Sequence, residues 1–234
     1  MLNDLGELLA AVPADGDRSI YAQAVIEDNV LGKQTAATRR LSYQRLRELY
    51  GLDPRIPLFR VLRRLWSVDR PGRLRLAVLA AMARDPLLTA TAPVVVLLEP
   101  GQEMMRSTVL AKLRGTVDDR LNEAVLDKVA RNTASSWAQA GFLQGRVRKV
   151  RCRVEPTPGT VALALWLGRR EGYAVARLLD SPWARVAGDG GPLELLPLAL
   201  KANQLGLIRA RSAAGVLSID PTILDPAAAA ATRR

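Results

Sequence analysis

The sequence predicts a mainly α-helical protein, a helical bundle with two winged-helix-like units that each carry a small β-ribbon. The stretch 134–154 is typical of a helix that ends at Gly141, followed by a short apolar strand, a turn and an arginine-rich strand. The same layout returns later in the chain, and the two copies align without a gap. Gly206 matches Gly141, and the acid-Pro-Thr turn at 220–222 matches the one at 155–157.

These two copies predict β-ribbons near residues 142–154 and 207–219. The second copy has lost the basic strip, since its turn at 212–215 and its strand at 216–219 carry no cation. Only the first ribbon is therefore well equipped to contact phosphates.

Composition and breaker residues divide the chain into five predicted segments. They are a flexible N-terminal arm at 1–18, a helical domain at 19–100, a helical unit with the basic ribbon at 101–157, a second winged-helix-like unit at 158–226, and a disordered alanine-rich tail at 227–234. Start and stop signals predict further helices, listed here in chain order. They cover 19–31, 35–50, 58–66, 74–84, 87–98, 102–113, a long helix capped by Asp118, and 161–168.

The long helix is predicted to break near residues 132–133 and leave a separate helix at 134–140. If this is the second half of a helix-turn-helix, four polar side chains are candidates for its nucleic-acid face. They are Arg131, Ser135, Ser136 and Gln139. Trp137 is expected to pack inward.

The predicted strand at 146–154 carries five cations and no acid, namely Arg146, Arg148, Lys149, Arg151 and Arg153. Alternation places the last three on one strand face, and the first two at the exposed start of the other. Such a strip repels itself, and a polyanion would relieve the repulsion. The alternative is a solvated edge strand whose charges prevent association of sheet edges. Because Lys149, Arg151 and Arg153 are expected to be solvated, replacing all three by alanine should preserve the fold and lower the salt slope of binding by about 3.

A second basic cluster lies at the predicted helix 35–50 and consists of Lys33, Arg39, Arg40, Arg45 and Arg47. A helix N-terminus also favours phosphate, because its backbone N–H groups point outward. The alternative is a solvated face of an amphipathic helix. The sequence leaves these two interpretations open.

The net charge is +11, and residues 101–157 carry 11 basic and 6 acidic side chains, a net of +5. This balance points to an anionic partner, most often nucleic acid. A genome rich in G and C also yields arginine, but it would not concentrate the excess at the predicted ribbon. The absence of histidine and the single cysteine disfavour an enzyme, a metal site and a cofactor. We expect a cytoplasmic protein with no membrane segment.

Two stretches resemble the BrxA-like family of small accessory proteins of BREX bacteriophage-exclusion systems. The first runs from Ala24 to Lys33 and on through 35–40, and the second from Ser135 to Leu143 and on into the basic strand. The resemblance covers roughly residues 20–160. It implies a helical, non-enzymatic DNA-binding protein with partners in a phage-defence locus, including a methyltransferase and ATPases. The C-terminal unit departs from the shorter members of that family.

The leading hypothesis is therefore an accessory subunit that binds double-stranded DNA mainly through phosphate contacts. The competing hypothesis is an adaptor whose apolar helices bind protein partners, and RNA is an alternative ligand. The observation that discriminates them is whether the basic strip and the helix at 35–50 lie on one face. The sequence leaves the oligomeric state open.

Overall fold

A computed structural model describes residues 1–117, 120–213 and 216–231. The helices are α1 (Leu2–Ala11), α2 (Arg18–Ile26), α3 (Ala36–Tyr50), α4 (Pro57–Val68), α5 (Arg73–Met82), α6 (Pro86–Val96), α7 (Arg106–Val117), α8 (Glu123–Gln139), α9 (Pro158–Arg170), α10 (Pro182–Ala187), α11 (Pro192–Gln204) and α12 (Pro226–Ala231), with 3-10 turns at Val175–Asp180 and Thr222–Leu224. Strand β1 (Leu143–Gln144) pairs with β2 (Val150–Arg151), and β3 (Arg209–Ala213) pairs with β4 (Val216–Asp220), both antiparallel. The predicted mainly helical fold and both predicted ribbons are confirmed. None of the described helices is long and apolar enough to cross a membrane.

The N-terminal segment is a packed helix, so the prediction of a flexible arm at 1–18 is wrong. Leu2, Leu5 and Leu8 of α1 are at most 1% exposed, because their spacing of three residues puts them on one helix face. Asp4 on the outer side receives a hydrogen bond from Lys33 Nζ at 2.7 Å. The breakers at 13–17 end this helix; they do not prevent it.

The C-terminal segment is also ordered in part, which corrects the predicted disordered tail. Residues 226–231 form α12, while 232–234 lie outside the described residues. The segment is anchored just before α12, where Asp225 is 2% exposed and accepts a hydrogen bond from Arg60 Nη2 at 2.8 Å. A run of alanines has high helix propensity, and this anchor gives the helix a fixed starting point.

Two helices form the centre of the molecule. In α5, all residues from Leu76 to Met82 are buried, and in α9 the same holds from Gly159 to Gly168. The two helices contact each other, and α5 also contacts α1, α3 and α8. One cluster of buried hydrophobic residues takes in members from the predicted segments 19–100, 101–157 and 158–226. This shared core fixes the first ribbon relative to the N-terminal helices.

The segment from α6 to β2 packs three helices next to a small β-ribbon. Helices α6, α7 and α8 contact one another, and α8 leads directly into β1. The connection before α7 pairs with β2 on the side opposite β1, since Glu103 bridges Val150 and the Arg151 N–H donates to Gln102 O at 2.8 Å. Strand β2 is therefore central in a small three-part sheet.

Helix α8 is continuous from Glu123 to Gln139, so the predicted break near residues 132–133 is wrong. The side chain of Thr133 donates to Ala130 O in the preceding turn, which satisfies the hydroxyl without ending the helix. Asn122 caps the N-terminus of α8 by accepting from Val125 N–H. The predicted cap, Asp118, lies outside the described residues.

The two copies of the repeat end their helices identically. Phe142 N–H donates to Trp137 O, and Leu207 N–H donates to Ala202 O in the same way. Gly141 has φ +89° and Gly206 has φ +68°, the left-handed conformation that this helix ending requires. The two copies therefore share the same structure at the end of the helix and the start of the first strand.

The ribbons that follow differ in register. Gln144 pairs with Val150, whereas Arg209, the residue that corresponds to Gln144 in the second copy, pairs with Asp220. The first ribbon has a loop at 145–149, whereas in the second ribbon β3 ends at Ala213 and β4 begins at Val216. Of the predicted turn at 212–215, Ser212 and Ala213 lie in β3, and the other two residues lie outside the described residues.

Candidate nucleic-acid interface

Helix α8 presents a polar face to the outside. Its inner face buries Leu126, Ala130, Thr133 and Trp137. The opposite face is lined by Lys128, Arg131, Asn132 and Ser135, spaced three and four residues apart. The helix is therefore amphipathic, with its polar stripe free to meet a ligand.

Trp137 fixes the orientation of α8. Its indole Nε1 donates to Thr91 Oγ1 of α6 at 2.9 Å, and its ring meets Phe142 edge to face at 5.2 Å between centroids. The indole is fully buried, as expected from the sequence. Because Trp137 packs into the core and fixes the rotation of α8 about its axis, Arg131 and Ser135 point outward.

Residues 145–149 form a loop beside α8, which corrects the predicted strand at 146–154. Gly145 has φ +98°, and Lys149 Nζ donates across the loop to Gly145 O at 2.6 Å. Val147 at the tip is 91% exposed. This loop joins β1 to β2 and is here called the wing loop.

We expect Gly145→Ala to lower the free energy of unfolding by about 2–3 kcal/mol. An added Cβ would lie 2.1 Å from Arg148 O, in a backbone conformation that alanine rarely adopts. Gly172→Ala is the matched control, because Gly172 has φ +90° with nothing within 4 Å, so about 1 kcal/mol is expected there. Urea unfolding of both variants tests this, and equal losses would contradict the close contact.

A groove of about 380 Å³ lies between α8 and the wing loop. Its polar lining consists of Arg106, Arg131, Ser135, Arg146 and Lys149, and its apolar lining includes Met104, Val109 and Val147. None of the described residues that line it is acidic. Arg106 forms an ion pair with Asp127, but Arg131 and Arg146 have no hydrogen-bond or ion-pair partner within the described residues. The structure thus brings together four of the predicted residues: Arg131, Ser135, Arg146 and Lys149.

Arg151 has a structural position, and its predicted exposure is wrong. Its side chain is 1% exposed and forms an ion pair with Asp189. It donates to Val95 O and Cys152 O, and its guanidinium lies 5.1 Å from the centroid of the Phe142 ring. The face of β2 that carries Arg151 packs against α6 and the residue Asp189, so alternation does not lead to solvent here. Because β2 is paired along both edges, the edge-strand alternative also fails.

Two other predicted cations of the strip are exposed but paired. Arg148 Nη2 lies 2.6 Å from Glu103, and this hydrogen bonding raises the pKa of the Arg148 guanidinium. Arg153 Nε lies 2.9 Å from Glu155. Both carboxylates offset the positive charge locally. Arg148 and Arg153 therefore offer a phosphate less than Arg131 and Arg146 do.

Ser136 and Gln139 face a second groove, between α8 and the N-terminal helices. Gln139 Oε1 accepts from Leu2 N–H at 3.3 Å and from the amino terminus at 3.4 Å. Ser136 Oγ donates to Asn132 O within the helix. Gln139 therefore ties α8 to α1, and Ser136 does not line the groove beside the wing loop.

The N-terminal basic cluster is divided by the structure. Lys33 pairs with Asp4, and Arg39 Nη1 donates to Glu27 O at 3.3 Å. Arg45 lines the second groove opposite α8, and Ser135 lines both grooves. Arg45 is therefore the member of the cluster that lies nearest to α8, across the second groove.

The remaining two members, Arg40 and Arg47, line neither groove. They lie about two helical turns apart on α3, so they share one side of that helix. Only part of the cluster is therefore brought to the interface.

Two cations of this surface were not singled out from the sequence. Arg106 begins α7 and reaches the groove only because α7 packs against α8. Lys128 lies one turn before Arg131 on the same face of α8, so the helical period alone would have found it. Comparisons with family models, curated proteins and solved structures give no match for this chain.

Proposed function

We propose that this protein is a non-enzymatic DNA-binding protein that holds duplex DNA mainly through its phosphates. The observation that carries the proposal is the groove between α8 and the wing loop, which both Arg131 and Arg146 line and whose described lining contains no acidic residue. Cations without partners in one groove repel each other, and phosphate oxygens would remove that repulsion.

In the proposed complex, α8 lies in the major groove and the wing loop lies along the adjacent backbone. Lys128, Arg131 and Ser135 face the DNA from α8, and Arg146 faces it from the loop. Arg45 extends the contact beyond Ser135. The short side chain of Ser135 positions the helix and reads bases only weakly.

The test is fluorescence anisotropy with a labelled duplex of about 20 base pairs, two helical turns. Four to five phosphate contacts give a salt slope of about −4, so affinity should fall by roughly 250-fold between about 50 and 200 mM salt. An affinity that does not change with salt would contradict the proposal. Unlabelled single-stranded DNA and double-stranded RNA serve as competitors. Stronger competition by RNA than by duplex DNA would make RNA the ligand.

The resemblance to the BrxA-like family suggests a biological context in which this DNA binding would be used. In that setting the protein is an accessory subunit of a cytoplasmic bacteriophage-exclusion system, with a methyltransferase and ATPases as candidate partners. Deletion of the protein in a host with the intact system, followed by phage plating, tests the setting independently of DNA binding. Unchanged phage resistance would remove the defence role and leave the binding proposal in place.

A further inference from the structure

The outer face of α11 is apolar where the equivalent face of α8 is polar. The two helices occupy the same position in the repeat, since both end in the same hydrogen-bonded turn. The alignment that matches Gly206 with Gly141 also pairs Leu193 with Lys128, Leu196 with Arg131, Pro197 with Asn132, and Leu200 with Ser135. At these four positions the second unit therefore carries apolar residues where the first unit carries polar or charged ones.

This apolar stripe is accessible at Leu193 and Pro197, while its other two members also pack against the core. Leu193 is 85% exposed and Pro197 is exposed, while Leu196 and Leu200 are half-buried. The spacing Leu193, Pro197, Leu200 alternates four and three residues, which is the pattern of a helix that packs against another helix. An exposed leucine and proline on one helix face, flanked by two half-buried leucines, are the kind of surface that a partner helix can cover.

The charges beside the stripe match a second copy of the same stripe. Glu194 and Lys201 lie seven residues apart on one edge of α11, on the same side of the apolar residues. In an antiparallel pair of identical helices, residues on the same edge face each other, so Glu194 of one copy meets Lys201 of the other twice. Lys201 has no ion-pair partner within the described residues, so it is free to do this.

We propose that the protein forms a homodimer through antiparallel packing of α11 against α11 of a second copy. Pro197 of one helix then faces Leu200 of the other, and two Glu194–Lys201 ion pairs flank this contact along one edge of the helices. A two-fold axis requires that each contact occur twice, and the Glu194–Lys201 pattern is self-complementary in this way. The proposal does not depend on DNA binding.

The first experiment measures the mass of the full-length protein without DNA, by light scattering or sedimentation equilibrium. A single helix pair is smaller than a standard interface, so we expect a dissociation constant of about 10 µM. At about 100 µM the parent should then have nearly twice its 25.4 kDa chain mass. Leu193→Lys should raise the dissociation constant by roughly 30-fold.

Val68→Lys is the matched control, because Val68 is another exposed apolar residue, 61% exposed at the end of α4. It should leave the dimer unchanged. A parent that stays monomeric at all concentrations, an assembly larger than a dimer, or a Leu193→Lys variant that dimerises like the parent would each overturn the proposal.

A charge exchange tests the antiparallel geometry. The E194K chain carries two lysines on the edge of the stripe and the K201E chain two carboxylates, so each alone should dimerise about tenfold more weakly. Mixing the two should restore a dimer, because both pairs then have opposite charges. Circular dichroism checks the E194K helix first, since Glu194 Oε2 accepts from Gly191 N–H at 2.8 Å. With folded variants, failure to recover on mixing would overturn the antiparallel pairing.

Discussion

Replacing Arg151 by alanine is expected to lower the free energy of unfolding by about 3 kcal/mol. The substitution removes a fully buried guanidinium that binds Asp189 and two backbone carbonyls. Asp189 would keep its hydrogen bond from Val154 N–H but lose its counter-charge. The loss is at the low end of the range for buried pairs, because the Asp189 side chain is 25% exposed. Urea unfolding measures it directly, and the melting temperature should fall by roughly 6–12 °C.

Arg153→Ala is the matched control for this prediction. It removes a cation two residues away whose side chain is 74% exposed and which pairs with an equally exposed Glu155. Its effect should stay within about 0.5 kcal/mol, since solvated ion pairs contribute little. If Arg151→Ala behaved like Arg153→Ala, Arg151 would have no structural role. The triple substitution predicted from the sequence to preserve the fold is expected to destabilise it through Arg151 alone.

The second large effect concerns binding. Replacing Arg131 and Arg146 together by alanine should weaken duplex DNA binding by roughly 50-fold at about 0.1 M salt, or about 2.3 kcal/mol. Each side chain is expected to contact one phosphate, so the salt slope should become less negative by about 2. Neither residue has a partner within the described residues, so the fold should not change. Anisotropy titrations across a salt series provide both quantities.

The control for the binding variant is the pair Arg209→Ala and Arg211→Ala on the second ribbon. It removes the same charge from the whole protein but leaves the groove beside α8 intact. Its effect on the salt slope should be less than about 0.5. An equal loss in both double variants would mean that net charge, not the groove, determines affinity.

The sequence by itself determined the fold class, most of the helices and the positions of both ribbons. Helical periodicity, capping residues and glycines in the left-handed conformation predicted the mainly helical fold, and the ungapped match between the stretches around Gly141 and Gly206 predicted both ribbons. These features depend on neighbours along the chain, so they are visible without the tertiary structure. The sequence did not predict α1, because the breakers at 13–17 follow a segment of only about three helical turns, whose stability comes from burial of Leu2, Leu5 and Leu8.

Only the tertiary structure decided which cations are exposed and unpaired, and so able to contact a phosphate. Alternation along a strand predicts two faces but does not say which face meets solvent. Contacts with Val95, Asp189 and Phe142 buried Arg151. Packing of α7 against α8 brought Arg106 to the groove, and contact with α1 assigned Gln139 to a structural hydrogen bond. The sequence alone does not distinguish a solvated arginine from a buried one, because burial depends on residues that are distant along the chain.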